Sequence, residues 1–172
     1  MAADSSTHRT THTEPALLGI YLNDHLAGAT GGVELARRAA AAHRESAVGT
    51  TLARLAEEVA EDRAVLLDTM RRLGVPARQY KAYAAWAAEK VGRLKPNGHL
   101  LNRSPLSTVV EVEALRLGVE GKGAMWRTLR SIADHDGRLD SEELDRLIDR
   151  ARRQADTLEE LRVQAAASVF GG

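Results

Sequence analysis

The feature that most constrains this chain is the spacing of its apolar residues between positions 50 and 73. Leucine, valine, alanine and methionine recur there every three or four residues, which places them on one face of an α-helix. Gly74 and Pro76 follow, and both residue types are typical of a helix end. Similar spacing recurs in three other long segments. The pattern therefore predicts a chain built from amphipathic helices.

The composition agrees with this prediction. The 172 residues are 44% hydrophobic but only 3% aromatic, so alanine, leucine and valine must fill the core, and such chains favour helix. Twenty-four basic residues balance twenty-four acidic ones, which gives no overall attraction to nucleic acid or to a membrane surface. The absence of cysteine excludes disulfides, thiolate zinc sites and cysteine nucleophiles. No apolar run has the length of a membrane span.

We predict four long helices, at about 15–44, about 50–73, from Pro105 onwards and from Asp140 to the C-terminus. Asp140 and Glu143 have the spacing of a capping box at the start of the last helix. The first two helices and the last two are joined by short connections, so each pair is expected to form an antiparallel hairpin.

The rest of the chain completes this organisation. The long connection 74–104 contains a shorter amphipathic helix, at 77–91. Residues 1–14 are polar and carry no apolar leader, so we expect a disordered tail before a single helical-bundle domain, 15–172, in a cytoplasmic protein.

Three segments resemble ferritin-like proteins, notably those of actinobacteria. These are LNDHLAGAT at 22–30, LGVEGK at 117–122 and DTLEELR at 156–162. The resemblance implies an all-α, ferritin-like four-helix bundle, in which two antiparallel hairpins are joined by a long crossover containing a shorter helix. It also implies a pair of metal ions at the bundle centre, held by glutamates and by two Glu-x-x-His motifs.

The sequence lacks the motif that such a centre needs. None of its six histidines has a glutamate three residues before it. Where the family places its ligands, Glu120 matches a single bridging glutamate, whereas the first helix offers Thr30, a poor ligand, and the second offers Asp62 at the edge of its apolar stripe. We therefore predict no metal and no cofactor.

A different set of polar residues lies on the apolar faces. Arg63 projects from the apolar stripe of the second helix and His25 from that of the first. A buried arginine is costly unless it is paired, so one hypothesis is a polar core cluster of His25, Arg63, Glu120 and Asp62. An equally consistent interpretation is that Arg63 extends to the bundle surface and that His25 bonds a backbone carbonyl.

Residues 134–143, DHDGRLDSEE, partly match a calcium-binding loop. Asp136, Gly137 and Glu143 fall at the correct spacing, but Ile132 occupies the first ligand position, where a carboxylate is needed. A turn between two helices, with Asp140 as the cap, explains the same residues. We favour the turn.

The connection 74–104 is locally basic and carries Tyr80, Tyr83 and Trp86, a combination that can bind nucleic acid. A solvated helix that covers the bundle explains it as well. With zero net charge, we do not expect nucleic-acid binding.

Gly28, Gly31 and Gly32 lie beside the small-residue face of the first helix. Such a run predicts close approach of a neighbouring helix, or a kink. The function that the sequence favours is thus a non-enzymatic, metal-free ferritin-like bundle that associates through a helix face with a second copy or with a protein partner. The alternatives are an iron or manganese carboxylate protein with atypical ligands, and a protein that binds a small apolar ligand between its alanine-rich helices.

Overall fold

The computed structural model describes residues 15–78 and 105–171, and all of their regular structure is α-helical. The four helices are α1 (Pro15–Ala42), α2 (Gly49–Arg72), α3 (Pro105–Ala133) and α4 (Ser141–Phe170). The four helix starts, and the ends of α1, α2 and α4, lie close to the predicted positions, and the all-α prediction is confirmed for these ranges. The predicted tail 1–14, and the helix at 77–91 beyond residue 78, lie outside the described residues.

Local chemistry sets the end of α2. Gly74 adopts the left-handed conformation, with φ at 70°, which glycine tolerates without strain. The Gly74 amide then donates to the carbonyl of Arg71, and the Val75 amide donates to the carbonyl of Met70. These two bonds form a Schellman motif, which satisfies the last carbonyls of the helix.

The cap at the start of α4 is confirmed in one half only. The Asp140 carboxylate accepts hydrogen bonds from the amides of Glu142 and Glu143, at 2.9 and 3.0 Å. The Glu143 side chain instead binds the Arg72 guanidinium at 2.7 Å. This ion pair joins the start of α4 to the end of α2.

Contacts between helix ends establish the direction of each helix. Tyr21, near the start of α1, hydrogen-bonds Thr128 near the end of α3, at 3.2 Å. His43, just after α1, contacts Thr108 at the start of α3, also at 3.2 Å. Helices α1 and α3 are therefore antiparallel.

Helix α2 is antiparallel to both of its neighbours. Its end lies near the start of α1, because Asn23 donates to the carbonyl of Pro76 at 3.2 Å and accepts from the amide of Arg78 at 2.7 Å. Its end also lies at the start of α4, through the Arg72–Glu143 pair. Since α1 opposes both α2 and α3, helices α2 and α3 run in the same direction, and residues 78 and 105 lie at opposite ends of the bundle.

The core consists of two apolar layers along the bundle. One layer surrounds Trp126, Leu26 and Met70, and the other surrounds Leu55 and Leu115. Between the two layers, α2 contributes the buried Asp62 and α3 contributes Lys122, whose side chain is 12% exposed. None of the described helices combines the length and the apolar character required to cross a bilayer.

Candidate functional site

The polar layer at the centre of the bundle is organised around Asp62 on α2. Asp62 is 2% exposed, and it accepts hydrogen bonds from Lys122 on α3 and from Arg150 and Gln154 on α4. Lys122 also donates to the side-chain oxygen of Gln154, whose amide donates to Glu58 at 2.9 Å. Asp62, Lys122, Arg150, Gln154 and Glu58, hereafter the central polar cluster, thus connect three helices.

Burial determines the electrostatics of this cluster. The Lys122 side chain is only 12% exposed, and burial lowers its pKa although the Asp62 carboxylate acts in the opposite direction. Burial acts to raise the pKa of Glu58, but hydrogen bonds from Gln154 and Arg54 outweigh it, so that the pKa is lowered. Two cations share the Asp62 carboxylate, and Arg150 also reaches Glu61 at 3.1 Å. The charges in this region are therefore compensated locally.

A cavity of about 230 Å³ adjoins the cluster, between α1, α2 and α3. Asp62 and Lys122 form part of its wall, together with Trp126. Most of the remaining wall is apolar, and it includes Leu66, Val119, Met125 and Leu115. This space, hereafter the central cavity, combines an apolar body with a few polar groups, which is the usual make-up of a small-molecule site.

Four helical glycines line the central cavity. Gly28 and Gly32 lie on α1, and Gly118 and Gly121 lie on α3. A Cβ atom added at any of the four would meet no heavy atom within 4 Å in the described part of the chain. Among the described residues, no neighbouring helix comes close to Gly28 or Gly32, so the close approach expected from the glycines of α1 is not made by α2, α3 or α4.

Trp126 contributes the least satisfied polar atom of this wall. Its side chain is fully buried, and its Nε1 has no hydrogen-bond partner among the residues of 15–78 and 105–171. Buried indole N–H groups normally have a hydrogen-bond acceptor in the protein, because after folding they can no longer bond to water. Trp126 follows Lys122 by about one turn of α3.

The structure separates Glu120 from the other three residues of the sequence-predicted cluster. Asp62 is not at the edge of its stripe, as the sequence suggested, but at the bundle centre. Arg63 lines the central cavity and donates from Nε to the Thr30 hydroxyl at 2.9 Å. Glu120 lies outside, 49% exposed, with its carboxylate 3.6 Å from Arg116.

His25, the fourth residue of that hypothesis, also lines the central cavity. Its ring packs edge-on against Tyr21, with 4.6 Å between ring centroids. Burial lowers the pKa of His25, opposed by the Asp24 carboxylate. Three of the four residues therefore share one cavity, whereas Glu120 does not belong to it.

Sequence reasoning missed Lys122, although a signal for it exists. Lys122 lies three residues after Val119 and four before Trp126, both of which are buried on the core face of α3. That spacing puts Lys122 on the same face, whereas Glu120 is one residue off it. Glu120 was predicted instead because carboxylates are common metal ligands, although the helical spacing indicates Lys122.

The described residues do not fit a di-metal centre. Asp62 is the carboxylate at the middle of the bundle, and both of its oxygens accept from cationic or amide donors. The Lys122 ammonium occupies the space beside it, where a second positive charge would be repelled. Across 15–78 and 105–171, no three histidine, aspartate or glutamate side chains are grouped in a way that could hold a metal ion.

The partial calcium motif has other partners. Asp136 forms an ion pair with Arg138 at 2.6 Å, and Asp140 caps α4. Glu143 binds Arg72. These contacts agree with the turn interpretation of residues 134–143. The basic and aromatic residues of the connection, from 79 to 104, lie outside the described ranges.

Comparison with known proteins adds no further constraint at this point. No protein-family model matches the chain, and neither the curated proteins nor the solved structures contain a significant match.

Proposed function

We propose that this protein binds a small, neutral, mainly apolar molecule in the central cavity of a ferritin-like four-helix bundle. The observation that carries the proposal is the set of four helical glycines that face open space, at Gly28, Gly32, Gly118 and Gly121. Gly32 and Gly121 are partly buried, and their missing side chains enlarge the cavity, whereas Gly28 and Gly118 lie exposed at its mouth.

The glycines that leave this volume open lower the stability of their helices. Glycine inside a helix is less stable than alanine by roughly 0.5–1 kcal/mol per residue. Alanine would meet no described atom at these four positions, so packing against the described helices does not require glycine there. A stability cost without a structural reason is typical of a functional site.

The dimensions and charge of the central cavity define the kind of ligand. A cavity of about 150 Å³ lined by apolar side chains accepts benzene. At about 230 Å³, the central cavity has room for a substituted ring or a short branched chain. Because Asp62 and Lys122 compensate each other, the wall favours a neutral ligand over an ion.

The ferritin-like part of the proposal is supported by the arrangement of the helices. Two antiparallel hairpins, with α2 and α3 running in the same direction, require a connection that returns along the bundle. In this proposal the central polar cluster stands in place of a metal centre, and the protein is a non-enzymatic binder. The iron or manganese alternative is not favoured, because the Lys122 ammonium and Asp62 do not fit it.

Association through a helix face with a second copy or a protein partner remains a prediction. Light scattering coupled to size-exclusion chromatography would measure it, and a strict monomer would count against self-association. The binding proposal does not depend on this result.

The direct test uses α-methylstyrene as a neutral apolar probe. We expect it to raise the melting temperature of the protein and to bind with measurable affinity by calorimetry, because a ligand that binds only the folded state stabilises it. Gly121→Met should abolish both effects, since a flexible methionine side chain fills the cavity.

The matched control is Gly19→Ala. Gly19 lies on α1 away from the central cavity, and a Cβ there makes an ordinary 3.8 Å contact with Val75. This variant should bind the probe as the native protein does. Absence of binding to the native protein, or equal binding to Gly121→Met, would contradict the proposal.

A further inference from the structure

We propose that the groove between α1 and α3 is the docking surface for a segment of this same chain, residues 79–104, hereafter the connecting segment. The groove lies at the mouth of the central cavity, where Gly28 and Gly118 are exposed. This inference goes beyond the binding proposal and does not depend on it, since the connecting segment can pack there whether or not a ligand lies beneath.

The two ends of the connecting segment lie beside the helices that form the groove. Just before it, the amide of Arg78 donates to the Asn23 side chain on α1 at 2.7 Å. Just after it, Pro105 begins α3, and Thr108 contacts His43 at the other end of α1 at 3.2 Å. The direct path from one end to the other therefore follows α1 and α3.

The connecting segment is long enough for this path. Asn23 and His43 are about 20 residues apart along α1, which is about 30 Å at 1.5 Å per residue. The helix predicted at 77–91 would span about 22 Å of this distance. Residues 92–104 can cover the rest, because an extended chain reaches roughly 3.3 Å per residue.

Exposed apolar side chains line the outer faces of the two helices. Leu17 and Ile20 on α1, and Leu106 and Leu117 on α3, are among the few large apolar residues that the described ranges leave exposed. Leu17 and Gly28 are 11 residues apart, as are Leu106 and Leu117, and this distance is close to three helical turns. Each pair therefore lies on one face of its helix, and a covering segment would remove these leucines from water.

The connecting segment has side chains of a suitable size for the groove. The helix predicted at 77–91 contains six alanines among its 15 residues. Two helices approach most closely where the side chains between them are small, and the groove presents glycines. This segment would thus make the close approach that the glycines of α1 predict.

The charges are also complementary. The connecting segment carries five basic residues and one acidic residue, whereas the described residues carry 18 basic and 21 acidic ones. Asp24 and Glu120 are exposed on the two helices of the groove. A positive segment is therefore attracted to the bundle rather than released from it.

Introduced cysteines test this contact, because the native chain contains no cysteine. Gly118→Cys places one thiol at the groove, where a Cβ meets no described atom. Ala84→Cys or Ala87→Cys places the other on the connecting segment. We expect a short bis-maleimide to join at least one of these pairs within a single chain, seen as a cross-linked peptide from a product of monomeric mass.

The matched control pairs the same two positions with Arg152→Cys, which is exposed on α4. These pairs should lose the cross-linked product. Equal yields from Gly118→Cys and Arg152→Cys, or no product from either, would overturn the inference. A product of dimeric mass alone would also overturn it, because the groove would then bind a second copy.

Limited digestion with trypsin gives a second measurement without cysteines. Leu117→Gln removes an exposed apolar side chain from the groove, and Val163→Gln is the matched change on α4. We expect Leu117→Gln to speed cleavage after Lys81 and Lys90 by roughly three- to tenfold, the effect of losing one partly buried leucine contact. Equal cleavage rates in the two variants would contradict the inference.

The outcomes separate this inference from the binding proposal. If the groove pairs cross-link but α-methylstyrene does not bind, the docking inference stands and the binding proposal is wrong. If α-methylstyrene binds but the groove pairs do not cross-link, the binding proposal stands and the docking inference is wrong.

Discussion

Asp62 shows how one residue can organise the centre of a bundle. Its carboxylate receives donors from Lys122, Arg150 and Gln154, which belong to two other helices. Removing such a charge leaves its partners buried without compensation, and this usually costs more than the intact pair contributes. Removing Asp62 alone is therefore expected to cost more stability than replacing Asp62 and Lys122 together by apolar side chains.

Asp62→Asn should destabilise the protein by about 3–5 kcal/mol, because it leaves the Lys122 ammonium without a counter-charge. Urea denaturation followed by circular dichroism would measure the change in the free energy of unfolding. Glu61→Gln is the matched control on the same helix. Glu61 is 66% exposed, and its loss should change stability by no more than about 0.5 kcal/mol.

A paired substitution tests the reason for this loss. Asp62→Leu combined with Lys122→Met replaces both buried charges with apolar side chains of similar size, and should recover at least half of the loss. If the double variant loses as much free energy of unfolding as Asp62→Leu and Lys122→Met lose in sum, the loss does not come from an uncompensated charge.

The helix ends show which local signals are sufficient at the level of the element. The Gly74 stop and the Asp140 cap were predictable from the sequence, because each depends on atoms within a few residues. The second half of the capping box was not. The Glu143 side chain binds Arg72 on another helix, and the local sequence contains no sign of that partner.

The Asp140 cap should make stability depend on pH in the acid range. Hydrogen bonds from the amides of Glu143 and Glu142 lower the pKa of Asp140 below its ordinary value of 3.8. The Asp140 carboxylate therefore contributes its full stabilisation at pH values above the pKa of Asp140 in the unfolded chain. This stabilisation is lost as the pH falls through the lower pKa of Asp140 in the folded protein. Asp140→Ser keeps a capping oxygen without the charge, so its melting temperature should lie closer to the native value than that of Asp140→Ala at neutral pH.

Melting curves of the native protein and both variants at several pH values would check this prediction. The advantage of the native protein over Asp140→Ser should shrink as the pH falls below about 4. A difference that stays constant across this range would contradict the role of the carboxylate charge.

At the scale of the whole molecule, the open space beside the glycines is the unexpected feature. Gly32→Ala combined with Gly121→Ala should raise the free energy of unfolding by about 1–2 kcal/mol, since each substitution improves helix propensity without a clash. Chemical denaturation of the unliganded protein would measure the gain.

Gly123→Ala is the control for this prediction. Gly123 lies on α3, as Gly121 does, but a Cβ at Gly123 would be only 3.4 Å from both Ala151 Cβ and the Arg127 guanidinium. We expect a smaller gain or a loss. Destabilisation by the Gly32→Ala and Gly121→Ala pair would show that the central cavity is closed in solution.

Much of the fold followed from the sequence. The four helices occur where apolar spacing, proline and glycine predicted them, because a helix depends on residues that are close along the chain. The candidate site followed only in part. Asp62 stood out as a polar residue at the edge of a core face, but Lys122 did not, and Glu120, two residues before Lys122, was wrongly placed in the cluster.

What the amino-acid sequence determined by itself is therefore the set of helices, their capped ends and the lack of a Glu-x-x-His motif. The tertiary structure alone decided which polar side chains meet across the bundle, since Asp62 and Lys122 belong to different hairpins and their contact depends on how the hairpins are rotated. It also decided that no described residue fills the space beside Gly28 and Gly121, because the room beside a glycine is determined by the distance to the neighbouring helix.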